Sequence, residues 1–309
     1  MVHEIWQPYP AIALQLERVK QKMLASVNIP MKDIEQKIHD YINAPGKYIR
    51  SGLALIVATE FNQELDERFI HAGASLELLH LATLIHDDVI DNADVRRGID
   101  AIHTQYSNRI AIYAGDYLLS LSGRLMAESK FEVEHNIVDD KLLEYILIGE
   151  LRQLMNQHRE SMTMVDYLRQ IKGKTAVLFG MATMTGGLNT GLSRRQLKRL
   201  FYAGQMIGMA FQLNDDLIDY RQQEQESGKP FLQDIQNGIY TAPYLLLKLA
   251  HQQPLPEDET ELLYLMDKYH IFAQVETMIN QYLRKSYRYF ESLGVDTTMM
   301  KTLLDVLHY

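Results

Sequence analysis

The sequence predicts an all-α fold, a large helical bundle with a central cavity between its helices, and three observations predict it. All eight prolines lie at or before Pro45 or at or after Pro230, and a helix interior is where proline is tolerated least. Across that proline-free stretch apolar residues recur at helical spacing, as in Leu76, Leu79, Leu84 and Ile90, and again in Leu142, Leu143, Ile146 and Leu147. Alternating runs of β-branched residues, the mark of strands, are few.

The elements follow in order. Leu53–Ala58 and Leu78–Ile85 read as buried helix turns, because no apolar run approaches the ~18 residues of a membrane span. Thr163-x-x-Asp166 and Ser193-x-x-Gln196 read as helix starts, a hydroxyl cap with an acceptor three residues on. Gly186-Gly187 followed by Asn189 reads as a break between helices, and Ser227-Gly228-Lys229-Pro230 as a loop. Helices of about 15–25 residues are expected. No low-complexity tract or linker divides the chain, so one domain spanning residues 1–309 is expected.

The bulk numbers bound the function. The 309 residues are 47% hydrophobic, enough for a large core. A net charge of −9 argues against nucleic acid as the main partner. The chain has no cysteine, which excludes disulfides, thiolate metal sites and a cysteine nucleophile. Met1-Val2-His3-Glu4 lacks the basic and apolar regions of a signal peptide, and a cytoplasmic location is expected.

The sharpest feature is a repeated acidic signature. Asp87-Asp88-Val89-Ile90-Asp91 and Asp215-Asp216-Leu217-Ile218-Asp219 both spell D-D-x-x-D inside apolar, helix-like sequence. Carboxylates in such surroundings are costly unless something neutralises them. Residues four apart share a helix face, so Asp87 projects with Asp91, and Asp215 with Asp219. Asp88 and Asp216 are rotated by about 100° and take a supporting or additional role. Two facing carboxylate clusters repel each other, and hard divalent cations resolve the repulsion. Mg²⁺ suits one or two carboxylates plus water and substrate phosphate oxygens, and two such half-sites can grip one diphosphate. A di-iron centre would want Glu-x-x-His pairs on facing helices, and no such pair occurs at helical core positions.

Candidate cations for an anionic ligand are Lys47, Arg50, Arg96, Arg97, Lys174 and Lys229. Arginine forks suit phosphate oxygens, and lysine serves as a point charge. His80 lies seven residues before Asp87 and shares its helical face.

With these residues in hand, the chain resembles the trans-type polyprenyl diphosphate synthases over about Tyr41 to Leu249. Gly46-Lys47-Tyr48-Ile49-Arg50 resembles the family's G-K-x-x-R element, and His80 holds its usual place. Asp87–Gly98 matches D-D-x-x-D followed by R-R-G. Gly115-Asp116-Tyr117-Leu118, Lys174-Thr175-Ala176 and Phe211-Gln212-Leu213-Asn214-Asp215-Asp216 match three further elements in order. The resemblance implies a prenyltransferase that joins isopentenyl diphosphate to an allylic diphosphate, farnesyl or geranylgeranyl, at a cluster of roughly three Mg²⁺ ions. It implies Asp87, Asp91 and Asp215 as Mg²⁺ ligands. Lys47, Arg50, His80 and Arg97 would hold isopentenyl diphosphate; Arg96, Lys174 and Lys229 the allylic diphosphate; Thr175 and Gln212 would line the space where the carbocation forms. Ile239 is a departure, standing where many members carry a phosphate-contacting lysine.

The small pair Ala82 and Thr83, one turn before Asp87, leaves the product tunnel open in this reading. A product longer than C20, in the range C30–C50, is expected. The alternatives are a C15 or C20 synthase of the same family, or a subunit that works only with, or regulates, an unlike partner. A homodimer is the default and a heterodimer with a small subunit the other possibility. Membrane contact is expected to be peripheral at most.

Overall fold

The computed structural model describes residues 3–131, 141–221, 235, 237–256 and 258–307. Helix α1 (Pro10–Ser26) opens with proline at its first position, where the missing N–H costs nothing. It is followed by α2 (Lys32–Asn43), α3 (Ile49–Glu60) and α4 (Glu67–Ile90). A hairpin of β1 (Val95–Arg96) and β2 (Ile99–Asp100) leads to α5 (Ile102–Gln105) and α6 (Asn108–Glu128). Then come α7 (Leu142–Asn156), α8 (Met164–Ile171), a π turn (Lys172–Ala176), α9 (Val177–Gly186) and α10 (Arg194–Arg221). The C-terminal helices are α11 (Ala242–His251), α12 (Glu259–Lys268), α13 (Ile271–Glu291) and α14 (Thr298–Leu307).

The all-α expectation is met, and the ends of the helices fall where the local chemistry puts them. Thr163 and Asp166 form a full capping box, the Asp166 carboxylate accepting the Thr163 N–H at 3.1 Å. Gln196 Oε1 accepts the Ser193 N–H at 3.0 Å. α9 stops at Gly186, with Gly187 as its cap. Helix lengths spread more widely than expected, from the 28 residues of α10 to the 4 of α5. Short helices survive because packing, rather than intrinsic propensity, supplies most helical stability. The strand pair was not anticipated. Its two-residue loop, Arg97-Gly98, has both φ angles positive (51° and 79°), the arrangement that matches strand twist in the tightest hairpins.

The main apolar cluster draws on residues from Ile5 to Leu304, and two smaller ones lie beside it, one around Leu76, Ile146 and Leu178 and one around Leu247, Leu262 and Met266. α4 packs along α6, α10 packs along α13 and α9, and α3 lies against α9 and α4. The first acidic cluster therefore closes the C-terminal end of α4, and the second lies near the C-terminal end of α10. Trp6 is fully buried, and its indole N–H donates to the Lys47 carbonyl at 2.7 Å. Gly52 makes room for it: a Cβ there would sit 2.0 Å from the indole ring. The N-terminal segment thus pins the loop that carries Lys47. Among the described residues no helix is long and apolar enough to cross a membrane.

Candidate active site

A cavity of about 620 Å³ opens between α3, α4, the hairpin, the π turn and α10. Lys47, Arg50, His80, Thr83, Asp87, Arg96, Arg97, Lys174, Thr175, Gln212 and Asp215 all line it. Residues scattered over some 170 positions of sequence thus meet in one space. Lys229 lies outside the described residues. Asp91 and Asp219 are exposed at the helix ends beside this space.

The middle aspartates have a different task from their neighbours. Asp88 is buried, and Arg96 donates to its Oδ1 from Nε at 2.7 Å. The Tyr41 hydroxyl donates to Asp88 Oδ2 at 3.2 Å and accepts the Ile102 N–H at 3.2 Å. Asp216 is buried likewise, accepting from the Tyr167 hydroxyl and, at 3.0 Å, from Gln212 Nε2. The second aspartate of each cluster therefore ties its helix to the frame, while the first lines the cavity and the fifth is exposed. Arg96 is held by Asp88 in this structure, so its fork is oriented before any ligand arrives.

The cationic wall is built by the hairpin and the start of α3. Arg97 occupies the first loop position of the hairpin and Arg50 the first turn of α3. The Arg50 guanidinium lies 4.9 Å over the Phe179 ring, a favourable cation–π placement. Burial lowers its pKa to about 10, so it remains a cation at neutral pH. Burial also lowers Arg97. Between them stands Glu77, a buried carboxylate whose Oε1 accepts the Ser51 N–H at 3.0 Å and the Ser51 hydroxyl at 2.8 Å. Its charge favours the ionised form of both guanidiniums.

His80 shares this wall. Burial, and then the charges of Arg50, Arg97 and Arg96, push its imidazole well below its ordinary value. A neutral imidazole follows, a hydrogen-bonding group rather than another cation. The folded state thus binds fewer protons at His80 than the unfolded chain does. Its contribution to stability is complete above the unfolded value near pH 6.5 and is lost as pH falls through it. Thermal midpoints measured from pH 8 to pH 5 should therefore fall further for the wild type than for His80→Gln, by about 2 °C or more. Parallel curves for the two proteins would remove His80 from this role.

Opposite the arginines, the π turn brings Lys174 and Thr175 together on the cavity. π turns insert one extra residue into a helix and recur at functional sites. Lys174 Nζ lies 3.0 Å from Asp87 Oδ2 and 2.8 Å from Glu150 Oε2. Burial pulls its pKa down, but the two carboxylates outweigh burial and hold the ammonium above its ordinary value. Burial raises Glu150 to about 7, with Lys174 opposing and Asp87 reinforcing the shift. The Thr175 hydroxyl donates to Gln212 Oε1 at 2.7 Å. Glu77 and Glu150 also line the cavity, and no motif in the sequence singles them out.

The two small residues of α4 face different ways. Thr83 lines the cavity, whereas Ala82 is buried and lies outside its lining. Ser75, seven residues before Ala82, bonds to Ser122 of α6 at 2.8 Å, and His86, four residues after it, lies 3.3 Å from Asp116 of α6. Helical geometry therefore turns Ala82 toward the α4–α6 seam.

The sequence model of the polyprenyl synthetase family matches residues 31–280. The chain is similar to heptaprenyl diphosphate synthase component 2 of Geobacillus stearothermophilus, 35% identical over 77% of this chain and 73% of that protein. It is similar to nonaprenyl diphosphate synthase of Mycobacterium tuberculosis, 34% identical over 76% of this chain and 70% of that one. Among solved structures it resembles geranylgeranyl pyrophosphate synthase from Lactobacillus brevis, with a TM-score of 0.85, 28% identity and 98% of both chains covered.

Proposed function

The chain belongs to the polyprenyl synthetase family and is a prenyl diphosphate synthase, and from that premise we propose how its cavity works and what it makes. The observation that carries the proposal is that Asp87 of α4 and Asp215 of α10 face one cavity whose remaining wall carries Arg50, Arg97 and Lys174. That arrangement suits two diphosphates held side by side, one bound mainly by guanidiniums and one between the carboxylates.

The carboxylates fit Mg²⁺. The donors are hard oxygens, and the carboxylate of Asp87 already carries a cation, the Lys174 ammonium at 3.0 Å. Among the described residues no three carboxylates or imidazoles converge on one point. Each half-site thus offers one or two carboxylates, the number Mg²⁺ takes when substrate phosphates and water complete its shell. Asp87, Asp91 and Asp215 would hold it. When bound, Mg²⁺ supplies charge that makes diphosphate a better leaving group.

The protein's own groups do the rest. Lys47, Arg50, Arg97 and neutral His80 orient the diphosphate of isopentenyl diphosphate. Lys174 and Arg96 orient the allylic diphosphate, and Lys229 is proposed to join them. As the allylic C–O bond breaks, the oxygens of Thr175 and Gln212 present their negative dipole ends to the carbocation. The double bond of isopentenyl diphosphate attacks, and the departing diphosphate takes the proton. No side-chain nucleophile is required, in keeping with a chain without cysteine.

The product proposed is an all-trans polyprenyl diphosphate longer than C20. The support is Thr83 on the cavity wall, with Leu81 and Leu84 beside it and no aromatic residue in that turn of α4. The test mixes the purified chain with Mg²⁺, labelled isopentenyl diphosphate and C5 to C20 primers, and sizes the dephosphorylated products. Products beyond C20 are expected, and products stopping at C15 or C20 would overturn the length. Thr83→Phe should shorten the product by one or more isoprene units. The far end of the tunnel is proposed to lie along the α4–α6 seam, so Ala82→Phe should also shorten the product, and full-length product from it would remove Ala82 from the tunnel floor.

A second reading has its own support. α7 exposes Leu147, Leu151 and Met155 at helical spacing, and α6 exposes Tyr113 at 74%; an exposed apolar face of this kind suits a protein interface. A second copy is the proposed occupant. The Geobacillus relative, a component 2, keeps an unlike partner open, and absence of product with any primer would favour that partner.

A further inference from the structure

Resting on the site proposed above, we infer that Glu150 is a positioning residue that releases Asp87 for the metal by keeping Lys174. Lys174 Nζ bridges two carboxylates, Glu150 Oε2 at 2.8 Å and Asp87 Oδ2 at 3.0 Å. An ammonium at that distance occupies the oxygen that a divalent cation would take. For Asp87 to receive the cation, Lys174 must withdraw from it. All three side chains are largely enclosed, with 22% of Lys174 and 18% of Asp87 and Glu150 exposed. An enclosed ammonium stripped of its only counter-ion is strongly disfavoured. Glu150 removes that penalty, because Lys174 keeps one carboxylate throughout. Withdrawn from Asp87, the ammonium stays beside the cavity and is available to the allylic diphosphate.

The backbone enforces the pairing independently of the charges. A Cβ on Gly149 would lie 2.2 Å from the Lys174 nitrogen, and one on Gly173 would lie 2.9 Å from Gly149 Cα. Two glycines thus bring α7 and the π turn into backbone contact, and each is followed directly by one partner of the ion pair. Side chains mounted on rigid elements at this spacing cannot drift apart, so Glu150 is a permanent partner of Lys174. Asp87, on a different helix, is free to become a temporary one.

The test uses the full chain and isothermal titration calorimetry of Mg²⁺ in the presence of a non-ionisable thio analogue of an allylic diphosphate. Glu150→Gln should weaken Mg²⁺ binding about tenfold, and the Mg²⁺ dependence of turnover should shift in parallel. Glu150→Asp keeps the charge and should recover most of the affinity. Combining Glu150→Gln with Lys174→Met separates competition from simple loss of negative charge. With no ammonium on Asp87, the effect of Glu150→Gln should vanish, and its persistence would overturn the inference. Unchanged Mg²⁺ affinity in a folded Glu150→Gln protein would overturn it as well. Failure of the wild type to bind Mg²⁺ with the analogue would instead remove the reading of the site beneath it. Thermal melts establish that each variant is folded.

Discussion

Asp87→Ala should lower kcat/KM by about 10³-fold or more while leaving the fold intact. The size follows from what is lost. Removing one preorganised group that stabilises developing charge costs about 10²–10³ in rate, and a residue that also holds the metal stands at the upper end or beyond. A factor of 10³ corresponds to about 4 kcal/mol of transition-state stabilisation. The fold should tolerate the change because Asp87 is a ligand and not a brace. Lys174 keeps Glu150 at 2.8 Å, and the buried bonds at this end of α4 belong to Asp88. Steady-state kinetics and a thermal melt on the same preparation check both halves. An Asp87→Ala enzyme within tenfold of the wild type would remove the first aspartate cluster from the chemistry.

Gly149→Ala is expected to damage both stability and activity, although alanine is the better helix former by about 1 kcal/mol. The added Cβ would meet the Lys174 nitrogen at 2.2 Å and the Gly173 carbonyl carbon at 2.6 Å. Both are backbone atoms, so no side chain can rotate away. α7 must retreat from the π turn, and overpacking of this kind costs about 1–3 kcal/mol. The retreat also displaces Glu150 and Lys174 relative to Asp87. Misplacement by about 1 Å at a catalytic group can cost on the order of 10²-fold. A Gly149→Ala protein that melts and turns over like the wild type would mean that the two backbones separate freely.

These two glycines mark where sequence reasoning stopped. The aspartate clusters were legible because charged residues in an apolar helix demand an explanation. The same logic, applied further, would have found Glu77, which interrupts Leu76-Glu77-Leu78-Leu79, and Glu150, which follows Leu147-Ile148-Gly149. The cations Arg96 and Arg97 were legible as residue types. Their presentation by a two-residue turn was not, because it depends on an arginine accepting a left-handed φ of 51°. The π turn was hidden more deeply. Lys172-Gly173-Lys174-Thr175-Ala176 has no composition that separates π from α geometry, and its packing against α7, α9 and α10 joins residues far apart in sequence. Ala82 and Thr83 differ in the same way: adjacent in sequence and both small, they are told apart by which helix each one faces.

The buried indole of Trp6 has an optical consequence. It is the only tryptophan in the chain, and it grips the carbonyl of Lys47 at the rim of the cationic wall. Emission excited selectively from tryptophan therefore comes from one address, without any engineered dye. A shift in its wavelength or lifetime during substrate addition reads out movement of the Lys47 loop alone, in the unmodified protein and in real time.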